Sequence, residues 1–295
     1  GLLLGLSCHF LSESDRFARG LLWASGPCLR FGVALLGVRL SVGDVAALGW
    51  PAVLAVCAAV FMTLLFGVIW SRALGCDRDL GLLTGGAVGI CGASAAMAIS
   101  AVLPESEARQ RHTLFTVIGV TTFSTFAMIF YPVFGDLLQF TPRDMGIFIG
   151  ATIHDVAQVV GAGFSVSPET GDLATFVKLL RVAMLVPIVM GIAFLCRVTA
   201  PAEGETPAMT PSFPLFLLGF IALFLLNNTV SLPGTLTQWM SQLATGLLLV
   251  AVTALGVRTS LREMASIGWR PIIVLGGETL FLAITIASLL LLEVV

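Results

Sequence analysis

Charge is what this chain has least of. Its 295 residues carry 17 acidic and 15 basic side chains, 11% of the total, against about 25% in an ordinary soluble domain. With 57% hydrophobic residues, too little polar surface remains to cover a water-soluble fold of this size. A soluble enzyme is excluded. The net charge of -2 supplies no basic footprint for nucleic acid, so a nucleic-acid binder is excluded as well. The six cysteines are scattered at positions 8, 28, 57, 76, 91 and 196, without a C-x-x-C pair or Cys/His ligand spacing. They imply no disulfide framework and no metal site, and read as small apolar helix residues. No cofactor motif is present.

What the chain does have is long uncharged runs. Residues 45–71 and 113–135 contain no charged side chain, and 206–257 contains neither charge nor histidine. That last run is interrupted by Pro211, Pro214, Asn227-Asn228 and Pro233-Gly234, which predicts two spans joined by a polar turn at 227–238. Backbone groups in hydrocarbon must be bonded internally, so these runs must be helices. The expected fold is an all-α polytopic membrane protein, one transmembrane domain over 1–295 with halves at 1–140 and 141–295. Full spans are expected at 25–40, 51–70, 81–103, 113–134, 145–163, 174–196, 213–229, 239–257 and 271–292. The apolar start, Gly1–Leu11, is half a span long and lacks an initiator Met, so the natural chain is expected to begin upstream.

Simple alternation of nine crossings places ten basic residues on one side: Arg16, Arg19, Arg30, Arg72, Arg78, Arg143, Arg197, Arg258, Arg262 and Arg270. It places Arg39, Arg109, Arg111, Lys178 and Arg181 on the other. The richer side is expected to be cytoplasmic.

Residues 34–51 and 253–271 repeat one another. Leu36-Gly37-Val38-Arg39 matches Leu255-Gly256-Val257-Arg258, Ser41 matches Ser260, Ala46 matches Ala265, and Gly49-Trp50 matches Gly268-Trp269. In both copies a helix ends at an Arg, which reads as an interface anchor. A Ser then opens a new helix with an acid three residues on (Asp44, Glu263), the spacing of a capping box. A Trp follows at headgroup level. By the span count the two copies face opposite sides, an inverted repeat of the kind that builds secondary transporters.

Two spans are unlike the rest. In GLLTGGAVGICGAS (81–94) the glycines disfavour a helix interior by about 1 kcal/mol each relative to Ala. Such a stretch at membrane depth requires close packing against protein or a cavity wall. One reading is helix packing through small residues; the other is a broken helix whose freed N–H groups hold an anion, with Cys91, Gly92 and Ser94 at the break. In IFIGATIHDVAQVVGAG (147–163), His154 and Gln158 share a helix face and Asp155 lies about 100° round. Ionisable groups at this depth either fix helix packing or bind a proton or cation. The following span brings Lys178 and Arg181, which either snorkel to the interface or supply positive charge to an anion path. Glu278, isolated in Gly276-Gly277-Glu278-Thr279, reads as a counter-charge for one of them or as a second protonation site. The pattern Arg-Asp-x-Gly-x-x-x-Gly occurs twice, from Arg78 to Gly85 and from Arg143 to Gly150. Alternating crossings have both copies enter from the same side, so they are not expected to form an inverted pair.

Four ordered motifs carry a family resemblance: Gly89-Ile90-Cys91-Gly92-Ala93-Ser94-Ala95, Ile153-His154-Asp155-Val156-Ala157-Gln158-Val159-Val160, Val177-Lys178-Leu179-Leu180-Arg181 and Ala254-Leu255-Gly256-Val257. Over essentially its whole length the chain resembles the YeiH family of bacterial inner-membrane proteins. Where that family often continues with an Ala-Thr-x-Pro-like run, this chain has Met97-Ala98-Ile99-Ser100. The resemblance implies sulfate export and an organisation similar to bile-acid symporters and sodium/proton antiporters, with inverted repeats and broken helices crossing near the bilayer centre.

The expected function is secondary transport of a small anion such as sulfate or a sulfonate. Gly89, Cys91, Gly92, Ser94, Lys178 and Arg181 are expected to bind the anion. His154, Asp155 and Gln158 are expected to bind the coupling proton or sodium ion. Lipid is the surrounding partner, and a homodimer is left open. The alternative is an intramembrane enzyme with Cys91 or Ser94 as nucleophile, His154 as base and Asp155 as its orienter.

Overall fold

A computed structural model describes residues 15–39, 42–104, 106–199, 215–230, 232–258 and 269–295. The repeat's Ser41, Ser260 and Glu263 lie outside these residues. All regular structure among the described residues is helical. Helix α1 (Asp15–Trp23) runs through a π-turn (Ala24–Cys28) into α2 (Leu29–Leu35) and a 3-10 turn (Leu36–Val38). Helix α3 (Val42–Ala73) is kinked at Gly49, whose φ of 76° suits glycine. There follow α4 (Arg78–Gly89), α5 (Ala93–Ser100), α6 (Glu107–Leu137), α7 (Pro142–Thr152), α8 (Val156–Val166), α9 (Pro168–Ala183) and α10 (Leu185–Thr199). The chain ends with α11 (Leu215–Thr229), α12 (Gly234–Arg258) and α13 (Trp269–Leu291).

Among the described residues, six stretches are long and apolar enough to cross a membrane: Arg19–Val38, Leu48–Ala73, Glu107–Leu137, Pro168–Cys196, Gly234–Ala254 and Trp269–Leu291. Their outer surfaces are apolar, with Phe31, Leu54, Phe61, Leu65 and Ile69 among the exposed side chains. Trp50 and Trp269 are 77% and 64% exposed at the ends of their spans, as headgroup-level tryptophans require. Arg270 lies over the Trp269 ring at 5.4 Å.

The expected spans 81–103 and 145–163 do not cross. Each is a re-entrant hairpin. Helix α4 has 12 residues and α7 has 11, so each arm is about 17 Å long, little more than half of a ~30 Å hydrocarbon layer. After α4 the chain reverses at residues 90–92, and Ile99 of α5 packs back against Gly86 of α4. The mouth of this first hairpin is closed by the start of α6. His112 of α6 lies 3.9 Å from Asp77, while Arg109 donates to the carbonyls of Ser100 and Leu103 at 3.1 and 3.0 Å.

The second hairpin repeats the plan. Helix α7 enters, the chain turns at residues 153–155, and α8 returns to a single connecting residue before α9. Thr170 in the first turn of α9 donates to the carbonyl of Pro142, where α7 begins, at 3.3 Å. Small residues allow both reversals. Gly81 and Gly85 face the backbone of α3, Gly146 and Gly150 face Leu173, Ala174 and Val177 of α9, and Gly163 faces Gly171.

Because neither hairpin crosses, the helices between them change direction relative to simple alternation. Helices α3, α9–α10 and α12 run from the far end of the bundle to the near end, where α1 begins; α6, α11 and α13 run the other way. Helices α3 and α13 are antiparallel, with Phe66 stacked on Phe281 at 4.3 Å and Trp70 Nε1 donating to Ile273 O at 3.3 Å. Helices α2 and α12 are antiparallel as well: Cys28 Sγ contacts Leu247 O at 3.6 Å, while Arg39 Nε donates to Ser241 Oγ at 2.7 Å.

The first hairpin therefore opens at the near end and the second at the far end, correcting the expectation that both Arg-Asp-x-Gly-x-x-x-Gly copies enter from one side. Each copy starts the inbound arm of its hairpin. Arg109 and Arg111 accordingly belong to the near end, and Arg143 to the far end. Helices α3, α6, α9 and α13 enclose the hairpins, whereas α2, α11 and α12 form a separate group beside them. Arg39 is not a lone interface anchor. It pairs with Asp172 of α9 at 3.2 Å and also donates to Thr245 Oγ1 at 2.8 Å, which ties the two groups together at the far end.

Candidate functional site

The two hairpin tips meet in the middle of the bundle, where Gly92 faces the carbonyl of His154. A helix leaves its last carbonyls and first N–H groups without intrahelical partners, so two tips at membrane depth present two sets of orphan groups. The structure satisfies them unequally.

The carbonyl sets are capped by two cations from α9. Gly86 O and Ala87 O at the end of α4 accept from the N–H groups of Ile90 and Gly92. Val88 O and Gly89 O accept from Arg181 Nη2 and Nε, and Ile90 O accepts from Lys178 Nζ at 2.7 Å. At the end of α7, Arg181 Nη1 donates to Gly150 O and Ile153 O at 3.1 and 2.9 Å, and Lys178 Nζ donates to Ile153 O at 3.1 Å. Both side chains are 0% exposed. They do not snorkel. Their positive charge sits against the negative ends of two helix dipoles that converge from opposite directions.

The N–H sets are treated differently. Ser124 Oγ of α6 accepts from the backbone N–H groups of His154 and Asp155 at 3.2 and 3.1 Å. Asp155 caps α8, its Oδ1 accepting from Ala157 N–H at 2.8 Å, and it remains partly accessible. Gly92 is the N-cap of α5, with φ 66° and no side-chain cap, and Ser94 in the first turn is exposed. The start of α5 is therefore the open end of the tip region. Cys91 is buried beside it.

His154 is 0% exposed. Its Nε2 makes a 3.0 Å hydrogen bond with Thr279 Oγ1 of α13, and its Nδ1 has no partner among the described residues. Gln158 Nε2 donates to Thr125 Oγ1 at 2.8 Å and Thr121 O at 3.2 Å, leaving Oε1 without a partner among the described residues. Glu278 is not the counter-charge of Lys178 or Arg181; its hydrogen-bond partner is Thr84 of α4, at 2.7 Å. The structure thus gathers Gly89, Cys91, Gly92, His154, Asp155, Lys178 and Arg181 around the two tips, with Ser94 in the first turn of α5 and Gln158 one turn along from His154. Sequence reasoning missed Ser124, Thr84 and Thr279. The signal for Ser124 was present in the hydroxyl cluster Thr121, Thr122, Ser124 and Thr125, within a charge-free span.

Among the described residues no three His, Cys, Asp or Glu side chains gather as a metal site. The family described as Conserved hypothetical protein 698 matches residues 1–275. The UPF0324 membrane protein TauZ of Paracoccus pantotrophus is 47% identical, over 97% of this chain and 85% of its own length. That of Paracoccus denitrificans is 47% identical over 96% and 84%. A UPF0324 membrane protein of Chlorobaculum tepidum is 45% identical over 97% and 80%. No solved structure matches the chain. With helices that can cross a membrane and relatives of this similarity, the chain belongs to the UPF0324 family of bacterial membrane proteins, as a multi-pass protein of the inner membrane.

Proposed function

We propose that this protein is a secondary transporter of a small anion such as sulfate or a sulfonate, driven by a proton or sodium ion. The observation that carries the reading is the meeting of two re-entrant hairpins from opposite ends of the bundle. Non-helical backbone at membrane depth is tolerated where protein buries it or where it lines a polar path. Half-helix ends near the midplane are where transporters hold their substrates.

The anion is held at the open start of α5, by the backbone around Gly92 and by Ser94, with Cys91 in the wall. Gly89, Lys178 and Arg181 act from behind this start. The two cations supply fixed positive charge there while their N–H groups hold the carbonyl ends of both hairpins. His154, Asp155 and Gln158 hold the coupling ion. One hairpin comes from each half of the chain, 1–140 and 141–295. The antiparallel pairs α2/α12 and α3/α13 and the oppositely opening hairpins support an inverted repeat, with its elements in permuted order along the chain. Rocking of the α2–α11–α12 group against the hairpin group gives alternating access.

Sidedness supports the same arrangement. Ten against five becomes eleven against two once Arg143 exchanges sides with Arg109 and Arg111 and the interior Lys178 and Arg181 are set aside. The near end is then cytoplasmic by a wider margin. The enzyme alternative lacks its orienter, because Asp155 bonds its own helix at Ala157 and His154 bonds Thr279.

Reconstituted protein should carry sulfate or sulfonate flux that depends on a pH or sodium gradient and collapses in His154→Ala and in Asp155→Asn. Unchanged flux in both variants overturns the coupling assignment. No anion flux in the folded wild type under any gradient overturns the transport reading.

A further inference from the structure

Glu278 has no part in the site described so far, yet it is among the most deeply buried ionisable groups of the molecule. It lies on α13, 0% exposed, where α13 packs against α3 and the first hairpin. Its Oε1 faces Gly67 of α3, where any larger residue would collide with it. Among the described residues it forms no ion pair, and its Oε2 has no partner. Arg72 of α3, Arg78 and Asp79 of α4, His112 of α6, and Arg143 and Asp144 of α7 all stand near the ends of their helices. The buried titratable group beside Glu278 is His154, held through the adjacent Thr279.

The contact with Thr84 is informative because a hydroxyl has one proton. Thr84 Oγ1 lies 2.8 Å from the Leu80 carbonyl of its own helix and 2.7 Å from Glu278 Oε1. If the hydroxyl donates to Leu80, the second contact needs a proton from the carboxyl. If it donates to Glu278, the carboxyl is ionised. Both arrangements fit these positions with a rotation of one O–H bond. The Thr84 hydroxyl can therefore serve Glu278 in either protonation state.

We infer that Glu278 and Thr84 form a proton-binding site that loads and unloads as hairpin and helix part and close. Loading forms an O–H bond at Oε1 with a proton from hydronium, which leaves as water, and Thr84 Oγ1 accepts from the new O–H while donating to Leu80. Unloading breaks that bond, returns the proton to water admitted between α4 and α13, and turns the Thr84 hydroxyl toward the carboxylate. The one-residue step from Glu278 to Thr279 connects the event to His154 at the tip of the second hairpin. The inference deepens the transport reading by naming the proton as a coupling ion, and it rests on that reading.

Infrared difference spectra of the full chain in lipid, recorded through a pH titration, test it directly. Wild type and Asp155→Asn should show a protonated-carboxyl C=O band that disappears as pH rises, and Glu278→Gln should lose it. Thr84→Val should keep the band but move its frequency and raise its midpoint by about one pH unit, because the bond lost to the carboxylate is charge-assisted and stronger than the bond lost to the neutral acid. If Glu278→Gln does not fold, Thr84→Val decides alone. A band unchanged in Glu278→Gln, or identical in Thr84→Val, overturns the site. Gradient-driven flux in parallel vesicles separates the two claims. Flux without a Glu278 band leaves transport standing and removes the site, whereas a band without flux keeps the site and removes transport.

Discussion

Arg181→Met should destabilise the protein severely, and the size of the effect follows from the bonds that Arg181 makes. Its guanidinium donates four hydrogen bonds, to the carbonyls of Val88, Gly89, Gly150 and Ile153. All four carbonyls belong to the last turn of a hairpin arm or to its break, and they do not find an intrahelical partner. A hydrogen bond to a charged group contributes about 1.5–3 kcal/mol net, but the methionine recovers apolar contact and Lys178 still holds Ile153 O. Leaving the Val88, Gly89 and Gly150 carbonyls without a donor costs about 1–3 kcal/mol each, or about 3–5 kcal/mol in all after the apolar gain. For a chain of this length that is a fall in Tm of roughly 10 °C. Thiol-reactive fluorescence of the detergent-solubilised protein reads it, because Cys28 and Cys91 are buried until the fold opens. Lys178→Met removes two bonds and should fall by about half as much. Arg181→Lys keeps the charge but not the planar fork, and should lie between wild type and Arg181→Met. A folded Arg181→Met with wild-type Tm refutes the capping argument. Sulfate that raised the Tm of wild type and not of the variant would make Arg181 a direct ligand instead.

Single cysteines in place of Leu74 and Ala108, in a chain freed of its native cysteines, should react with an impermeant maleimide from the same side of the membrane, and one at Gln139 from the other. Opposite-side labelling of 74 and 108 refutes the first hairpin. Ser124→Ala leaves the N–H groups of His154 and Asp155 without their acceptor, and should cost about 1–3 kcal/mol in denaturant or thermal unfolding. Arg39→Gln breaks a partly exposed pair with Asp172. It should cost about 1 kcal/mol or less and should change the rate of flux more than its apparent substrate affinity. The reverse split refutes its role in holding the two groups together.

The class and the elements were legible in the sequence, but the direction of the chain was not. Long uncharged runs located the crossing helices because hydrocarbon permits little else. The same reasoning marked 81–94 and 147–163 as abnormal, since glycine at one and His154, Asp155 and Gln158 at the other are costly in an ordinary span. Composition reports that cost and not its resolution. A broken crossing and a hairpin use the same residues, and the contacts that decide between them, Gly86 with Ile99 and Pro142 with Thr170, join positions with no visible link in the sequence. The roles of Lys178 and Arg181 were hidden for the same reason. Their acceptors are backbone carbonyls on other elements, which carry no residue signature.

The repeated Arg-Asp-x-Gly-x-x-x-Gly motif acquires its meaning from this geometry. In both copies the glycines lie one turn apart on the inbound arm, against α3 in one hairpin and α9 in the other. The inbound arms point their negative ends at the centre from opposite directions, a convergence that two lone hairpins could not sustain in hydrocarbon. One pair of cations on α9 satisfies both arms because the arms meet. The outbound arms start from the same centre with their positive ends. There the closure is partial: Asp155 and Ser124 close α8, while α5 begins at Gly92 without a side-chain cap. On the proposed reading, the interior fixes its carbonyl ends with cations and keeps one N–H end, beside an exposed serine, for the anion. On that reading the closed side carries stability and the open side exchange, so Arg181 and Ser94, both conspicuous in the sequence, should fail in different assays.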